Sequence, residues 1–350
     1  MMIYVNARFI TPPLTGVQRY AFEVCIQMKK MNPGIIFLSP KNVMQPEWKK
    51  LLGVKTIGLL TGHLWEQIEL PIYLLRMKKG LLFSPCNTGP LLVGKHCLTL
   101  HDVAFKIFET SHTHLFRKWY NFLIPKLCKS ALHLFTVSET VKNEIVSLYH
   151  LNPKKISITY NGIAEAMKSK SASPLAKEKI ILTVGSLTNQ KNTQFLITGF
   201  LASALAQDYQ LIIIGKTNGI FKSVSLESNP KIKWIDDVTD TQLIEYYKKA
   251  EIACFLSLYE GFGIPVLESL QFQCKVICSD IPTFRELYNG VVSFCDVTNS
   301  AAFTGMLNQI DSIPLPSAER VAQMNTKYNY HLSADTILHQ LNLHENCTHT

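Results

Sequence analysis

The 350-residue sequence lacks most of the short motifs that announce a chemistry. It has no G-x-G-x-x-G, which disfavours a dinucleotide dehydrogenase. It has no G-x-x-x-x-G-K-[ST], H-E-x-x-H or G-x-S-x-G, which weakens an NTPase, a zincin or a serine hydrolase. There is no D-x-D pair of the kind that holds a divalent ion on a diphosphate. No uncharged apolar run reaches about 18 residues, so no spanning helix is expected. The start, Met-Met-Ile-Tyr-Val-Asn-Ala-Arg, lacks the basic-then-apolar order of a signal peptide. Nine cysteines form no C-x-x-C and no Cys/His cluster of zinc spacing, which reads as reduced cytosolic thiols in a core. The Asn346-Cys347-Thr348 sequon then carries no weight. Acidic residues are scarce in one half. Residues 1–164 hold 20 Lys+Arg against 8 Asp+Glu, and the rest hold 15 against 18, so +12 and −3 make the overall +9. A basic half suits nucleic acid, an anionic membrane, or a soluble domain with scattered lysines. No nucleic-acid recognition motif accompanies it, and no nucleic-acid partner is expected.

Apolar material is plentiful: 47% hydrophobic and 17% charged residues support two cores of ordinary domain size. Short β-branched runs alternate with longer helical patterns. Expected strands are Met2–Val5, Ile35–Leu38, Leu81–Ser84, His96–Leu100 and Leu134–Val137, then Ile156–Tyr160, Ile180–Val184, Gln210–Ile214, Lys233–Ile235, Ile252–Leu256 and Lys275–Cys278. Most are continuous apolar runs, the mark of parallel strands covered on both faces. The fold class is α/β, with two doubly wound, Rossmann-like domains. Residues 1–164 form the first and 165–325 the second, joined by a linker within Ala164–Lys179 that contains Pro174. A helical segment, 326–350, is expected to pack back on the first. Ligands of such sheets bind beyond the carboxyl ends of strands, so functional residues should follow strands.

Four stretches do so. In Ser257-Leu-Tyr-Glu260-Gly261-Phe262-Gly263-Ile264-Pro265-Val-Leu-Glu268, a glycine loop leads into a helix with Pro265 in its first turn. Free N–H groups there form an anion site that glycines let a phosphate approach. Glu260 and Glu268 would repel a diphosphate, so they suit hydroxyls flanking it. A turn with two solvated glutamates is the open alternative. In Gly185-Ser-Leu-Thr-Asn-Gln190-Lys191, a loop after another strand offers Lys191 as a point cation, or as a merely solvated lysine. His101-Asp102 follows an apolar strand and could hydrogen-bond a sugar or phosphate, or be a structural pair. Thr15-Gly16-Val-Gln-Arg19 precedes a helix and could approach a phosphate, with Arg19 adding charge, or be a plain turn.

Together these residues resemble the family 4 retaining glycosyltransferases, over most of the chain and in the same order. Gly16 resembles that family's N-terminal glycine turn. Trp65-Glu66-Gln67 with Leu70-Pro71, then Ser84-Pro85 and Pro90, resembles a mannosyltransferase-like subgroup acting in bacterial surface-polysaccharide synthesis. His101-Asp102 matches the active-site His motif. Thr136-Val-Ser138-Glu139, Lys155-Ile156 and Tyr160-Asn161-Gly162 match the interdomain stretch. Gly185 and Lys191 match the diphosphate loop, and Glu260 and Glu268 the E-x7-E motif. Three departures stand out. Ser186 and Gln190 occupy places where the family often has Arg, and Phe272-Gln273-Cys274 replaces a small-Gly-x turn.

The resemblance implies the GT-B fold, with two domains facing across a cleft, and transfer of a sugar from a nucleotide diphosphate with retention. GDP-mannose is the first donor to test. His101, Glu260 and Lys191 would be catalytic. Gly16, Gly185, Lys191, Glu260, Gly261, Phe262, Gly263, Ile264 and Glu268 would hold the donor, with Glu268 on the ribose and Glu260 on the sugar. No cofactor or metal is expected, because N–H groups and Lys191 can take the diphosphate charge. The expected acceptor is a lipid-linked or oligosaccharide glycan, and the expected place is the cytoplasm, peripheral to the inner membrane face. For the latter, Arg117, Lys118, Lys126 and Lys129 lie among Leu115, Phe116, Trp119, Tyr120, Phe122, Leu123 and Ile124, in a segment that Pro125 is expected to interrupt. An amphipathic helix packed on the sheet is the competing reading of that segment. A non-catalytic sugar-nucleotide binder, or an epimerase or phosphorylase on the same fold, are the other readings of the whole.

Overall fold

The computed structural model describes residues 2–77, 80–108, 114–168, 176–186, 188–216 and 229–346, with the side chains of 345 and 346 excepted. The middle of the linker, including Pro174, lies outside the described residues, as do Leu187 of the Gly185 loop and the sequon's Cys347 and Thr348.

The chain divides into two compact units. The first comprises Met1–Ile107, His112–Gly162 and Tyr328–Thr350, and the second Phe108–Ser111 and Ile163–Lys327. In the first, strands β1 (Ile3–Asn6), β2 (Ile36–Ser39), β3 (Lys55–Thr56), β4 (Leu81–Ser84), β5 (His96–Thr99), β6 (His133–Thr136) and β7 (Ile156–Ile158) form a sheet. Its order is β3-β2-β1-β4-β5-β6-β7 and its pairings are parallel. β1, β4, β5 and β6 are buried at every position, as continuous apolar runs between covering helices should be.

The second unit holds β8 (Glu178–Val184), β9 (Gln210–Ile214), β10 (Ile232–Ile235), β11 (Ala250–Phe255), β12 (Lys275–Ser279) and β13 (Ser293–Cys295), in the parallel order β10-β9-β8-β11-β12-β13. Its core joins Ile181, Leu211, Ile213, Ile252 and Cys254 of the sheet to Leu196, Phe200, Phe303 and Leu307 of the helices Thr193–Ala202 and Ser300–Asn308. Each sheet reverses its strand order once, at β1/β4 and at β8/β11. There the loops of adjacent strands leave in opposite directions and open a crevice at the carboxyl ends.

The helix Tyr330–Asn346 belongs to the first unit and packs on the helix Gly16–Met31. Its Ala334, Ile337, Leu338 and Leu341 are buried, and Tyr330 meets Tyr20 edge-on at 6.3 Å. Gly162 is a glycine for lack of room: a Cβ there would lie 3.0 Å from the Tyr328 carbonyl oxygen. Pro125 does not break its segment. His114–Ser130 is one helix with Pro125 inside it, and Leu123, Ile124, Leu127 and Cys128 anchor that turn in the core. Packing on both sides of the proline outweighs the one backbone bond it forfeits.

Candidate active site

The second unit's switch point gathers one set of the expected residues. Gly185 leaves the end of β8, and its N–H donates to the Ile214 carbonyl at 2.9 Å. Gly215, just beyond β9, is forced by close approach: a Cβ there would lie 1.8 Å from the Gly185 carbonyl oxygen. Lys191 ends the short 3-10 turn Asn189–Lys191, and its Nζ donates to Glu260 Oε1 at 2.5 Å. The same carboxylate oxygen accepts from Ser257 Oγ at 2.7 Å. The loop is tied to its neighbours by its backbone. Gln190 Nε2 donates to the Tyr259 carbonyl at 2.9 Å, the Leu258 N–H to the Gln190 carbonyl at 2.8 Å, and Thr283 Oγ1 to the Glu260 carbonyl at 2.8 Å. Gln190, where the family often has a basic residue, is therefore a brace between the two loops.

Gly263 caps the helix Ile264–Gln271 with φ +86°, and Pro265 stands in its first turn. A Cβ at Gly263 would meet Phe284 Cε1 at 2.5 Å, so both backbone conformation and space select glycine. Gly185, Lys191, Ser257, Glu260, Gly263 and Pro265 line one pocket, with Thr183, Val184 and Val266 beside them. Its lining joins the positive end of a helix, a lysine and a carboxylate: parts suited to a diphosphate that carries a hydroxylated group.

The other expected donor residues stand differently. Gly261 and Ile264 are half-buried in the loop and helix start. Phe262 is buried edge-on against Tyr288 at 6.1 Å, so only its backbone is available to a ligand. Glu268 is buried in the second turn of Ile264–Gln271 and accepts from Tyr247 Oη at 2.8 Å. Burial first, and the Glu268 charge second, push the Tyr247 phenol well above its ordinary pKa, which keeps it a donor.

Gly16 and His101 belong to the first unit. Gly16 is the exposed first residue of its helix, where the Thr15 N–H donates to Gln18 Oε1 at 3.1 Å. Arg19 lies over the Trp48 ring at 5.8 Å. His101 is buried beyond β5, and burial lowers its pKa to about 4, so the ring is neutral near pH 7. Its Nε2 donates to the Pro85 carbonyl at 2.8 Å, which leaves Nδ1 as the acceptor nitrogen. Its backbone N–H donates at 2.8 Å to the side chain of Asn87, a residue held at φ +48°. The Tyr20 ring meets it edge-on at 4.7 Å.

One polar cluster has no counterpart among the residues singled out for chemistry. Glu66 is fully buried in the π-helical turn Trp65–Glu69. Its Oε1 accepts from Asn6 Nδ2 at 2.8 Å, Arg8 Nε at 3.1 Å and Thr88 Oγ1 at 3.2 Å, and its Oε2 meets His63 Nδ1 at 3.3 Å. Although burial opposes ionisation, Arg8, His63 and Asn6 hold this carboxyl down to about 2. The available signal was position: Asn6 ends the first strand and Arg8 stands just beyond it.

Two family descriptions match the chain. Residues 165–327 match "Glycosyl transferases group 1" and residues 83–166 match "Glycosyltransferase Family 4". The chain belongs to the glycosyltransferases of group 1 and family 4. The chain is 29% identical over 241 residues to the O-antigen chain mannosyltransferase RfbU of Salmonella typhimurium, covering 67% of this chain and 66% of that protein. It is 31% identical over 208 residues to an N-acetylgalactosaminyltransferase of Campylobacter jejuni named for a diphospho-undecaprenol substrate, covering 56% of each. The matched stretches thus span less than two thirds of those relatives' own lengths. In fold, the chain is similar to Anabaena HepE, solved with UDP and glucose. The TM-score is 0.71 at 13% identity, covering 97% of this chain and 99% of that one. It is also similar to WaaG, a glycosyltransferase of lipopolysaccharide biosynthesis, with TM-score 0.66 at 12% identity, covering 95% and 94%. Both are GT-B proteins, so the two parallel α/β units are of the GT-B class.

Proposed function

We propose that the chain transfers a sugar, with retention, from a nucleotide diphosphate donor to a lipid-linked surface glycan, GDP-mannose being the first donor to test. The observation that carries the reading is the Lys191–Glu260 pair in the lining of the helix-start pocket. Lys191 and the N–H groups around Gly263–Val266 stabilise the negative charge that grows on the leaving diphosphate, which is catalysis aimed at the transition state. A bound diphosphate competes with Glu260 for Lys191. That exchange releases the Glu260 carboxylate toward the hydroxyls of the donor sugar. Glu268 takes the ribose, and His101 keeps an Nδ1 lone pair for a sugar hydroxyl. No cofactor or metal enters this scheme, because the lysine and the helix start carry the charge. Among the described residues no cluster of three or more His, Cys, Asp or Glu is arranged to hold a metal ion.

The finer part of the proposal is an anionic membrane surface. No described helix is long and apolar enough to cross a membrane. Leu64, Ile68, Ile72 and Leu75 are all exposed and recur at helical spacing between Gly62 and Arg76. Leu115 and Phe122 of His114–Ser130 are exposed as well, and Lys126 Nζ lies 3.8 Å over the Phe122 ring. That helix buries one side and turns a mixed apolar and basic side outward, the composition that suits an interface with anionic lipid.

The test is a panel of nucleotide sugars incubated with the wild-type chain and with Glu260→Ala, the products read by mass spectrometry. Release of nucleoside diphosphate from one donor, lost in the variant, supports the reading. No release from any donor, with or without lipid-linked acceptor, favours the non-catalytic binder. An epimerised donor in place of a transferred sugar favours the isomerase.

A further inference from the structure

The helix Ile264–Gln271 lines the candidate pocket with Pro265 and carries Glu268 three residues further, on the same face. A residue of another helix holds that carboxylate. Tyr247, in the last turn of Asp240–Lys249, donates its phenol to Glu268 Oε2 at 2.8 Å. Tyr247 is fully buried. Its ring supplies the packing, as a phenylalanine would, whereas a buried hydroxyl is costly unless it finds a partner. The partner it finds is the acidic residue that the donor reading gives to the ribose.

The ring and its backbone are fixed from several sides. Phe272 lies parallel to the Tyr247 ring, with 2° between the planes and 5.7 Å between the centroids. Lys177 Nζ donates to the Tyr247 carbonyl at 3.2 Å and to the Phe272 carbonyl at 2.8 Å, so one ammonium ties the stacked pair together. Cys274 Sγ donates to the Tyr247 carbonyl at 3.3 Å. These carbonyls stand at the ends of two helices, where backbone oxygens lack helical partners and a cation is favoured. Phe272 and Cys274 belong to the turn in which the sequence departs from a small-Gly-x pattern. Gln273 between them turns at φ +56°, a conformation that glycine adopts more easily. The turn thus gives up a glycine and gains an aromatic plate against Tyr247.

A carboxylate rotates about its side-chain torsions until a donor fixes one oxygen. The plane of the group, and the direction of its other oxygen, are then set. We propose that Tyr247, backed by Phe272 and tied by Lys177, is a positioning residue that sets the Glu268 carboxylate for the ribose hydroxyls of the donor nucleotide. This rests on the reading of Glu268 as the ribose carboxylate and adds the residue through which that carboxylate is aimed. Rotation frozen before the nucleotide arrives is not lost on binding, so the gain falls on recognition of the ribose.

The experiment is calorimetric titration of the full chain with GDP and UDP, and with dideoxy-GDP and dideoxy-UDP, whose sugar lacks both ribose hydroxyls. The readout is the ratio of the two affinities for whichever base binds. Wild type should prefer the ribose form about tenfold or more, as hydrogen bonds to a charged group imply, and Glu268→Gln should lose most of that preference. Tyr247→Phe keeps the ring and its stack. It should lower the ratio about fivefold, the equivalent of one hydrogen bond, while dideoxynucleotide affinity changes less than about twofold. Phe272→Ala keeps the phenol and removes its backing, and should lower the ratio in the same direction by a smaller factor. A merely structural role would weaken both nucleotides alike and leave the ratio where it was. An unchanged ratio in folded Tyr247→Phe overturns the proposal, and if that variant does not fold, an unchanged ratio in Phe272→Ala does so. Loss of the preference in Glu268→Gln but not in Tyr247→Phe removes the positioning role alone. No nucleotide bound by wild type, no preference for ribose, or a full preference kept by Glu268→Gln removes the ribose role of Glu268 and the proposal with it.

Discussion

Replacing Lys191 by Ala separates catalysis from stability at one site. Lys191 and Glu260 are partly exposed, at 26% and 13%, so their ion pair contributes up to about 1 kcal/mol to folding. Glu260 keeps the Ser257 hydroxyl at 2.7 Å after the change. A melting temperature lowered by no more than about 2–4 °C follows for a unit of this size. Catalysis should suffer far more, because the ammonium faces charge that develops only as the diphosphate leaves. Loss of one such donor costs about 10²–10³ in kcat, or about 2.7–4 kcal/mol. The assay is nucleoside diphosphate release measured by mass spectrometry at saturating donor, with a melting curve on the same sample. A folded variant that turns over donor within about threefold of wild type refutes the role given to Lys191, since a donor to the leaving group is worth far more. The companion variant Glu260→Gln has the opposite sign on binding. It frees Lys191 from its partner, so GDP or UDP should bind up to about fivefold tighter, the equivalent of the lost pair, while turnover falls.

Three further outcomes follow from geometry and charge. The carboxyl of Glu66 sits near 2 in the folded chain against about 4.5 unfolded, so its stabilising contribution is complete above pH 4.5 and disappears as pH falls toward 2. His96, His101 and His133, buried at about 4 against 6.5, add stability that is complete above pH 6.5 and drains as pH falls toward 4. Melting temperature should therefore drop in two stages on acidification, and Glu66→Gln should flatten the second; a single stage near pH 3 would contradict the imidazole assignment. Gly263→Ala combines φ +86° with a Cβ 2.5 Å from Phe284, and should cost about 1–3 kcal/mol in chemical denaturation and weaken nucleotide binding. Gly215→Ala pushes a Cβ into the Gly185 carbonyl, and nucleotide affinity should fall more than tenfold with the sheet intact by circular dichroism; unchanged calorimetric affinity would show that the Gly185 loop is not a phosphate cradle.

Eleven of the strands were readable from apolar runs, because a strand buried on both faces leaves an unbroken hydrophobic stretch. The two that escaped, Lys55–Thr56 and Ser293–Cys295, are edge strands of two and three residues, too short to show a pattern. Glycine and charge spacing pointed to the Gly185, Lys191, Glu260 and Gly263 cluster, whose loops follow adjacent strands. Gly215 was invisible, since a glycine after a strand says nothing of which backbone lies against it. Arg8, His63 and Glu66 were scattered over 58 residues and joined only by the crossing of strand and helix. Pro125 misled for a related reason. Local propensity marks a break, whereas the buried Leu123, Ile124 and Leu127 hold the helix through it.

The first unit is written in three places along the chain, the last of them beyond the second unit, and this orders its assembly in time. A ribosome delivers Gly16–Met31 early and Tyr330–Asn346 only after all of the second unit has emerged. Until then the flank of the early helix that packs on Tyr330–Asn346 stays wet, and Tyr20 lacks its Tyr330 neighbour. The second unit, continuous from Ile163 to Lys327 apart from Phe108–Ser111, is free to complete itself first, so the part made last finishes the part begun first. A nascent chain halted short of Tyr328 would hold a finished second unit and a half-closed first one, exposed to chaperones and proteases for as long as the halt lasts.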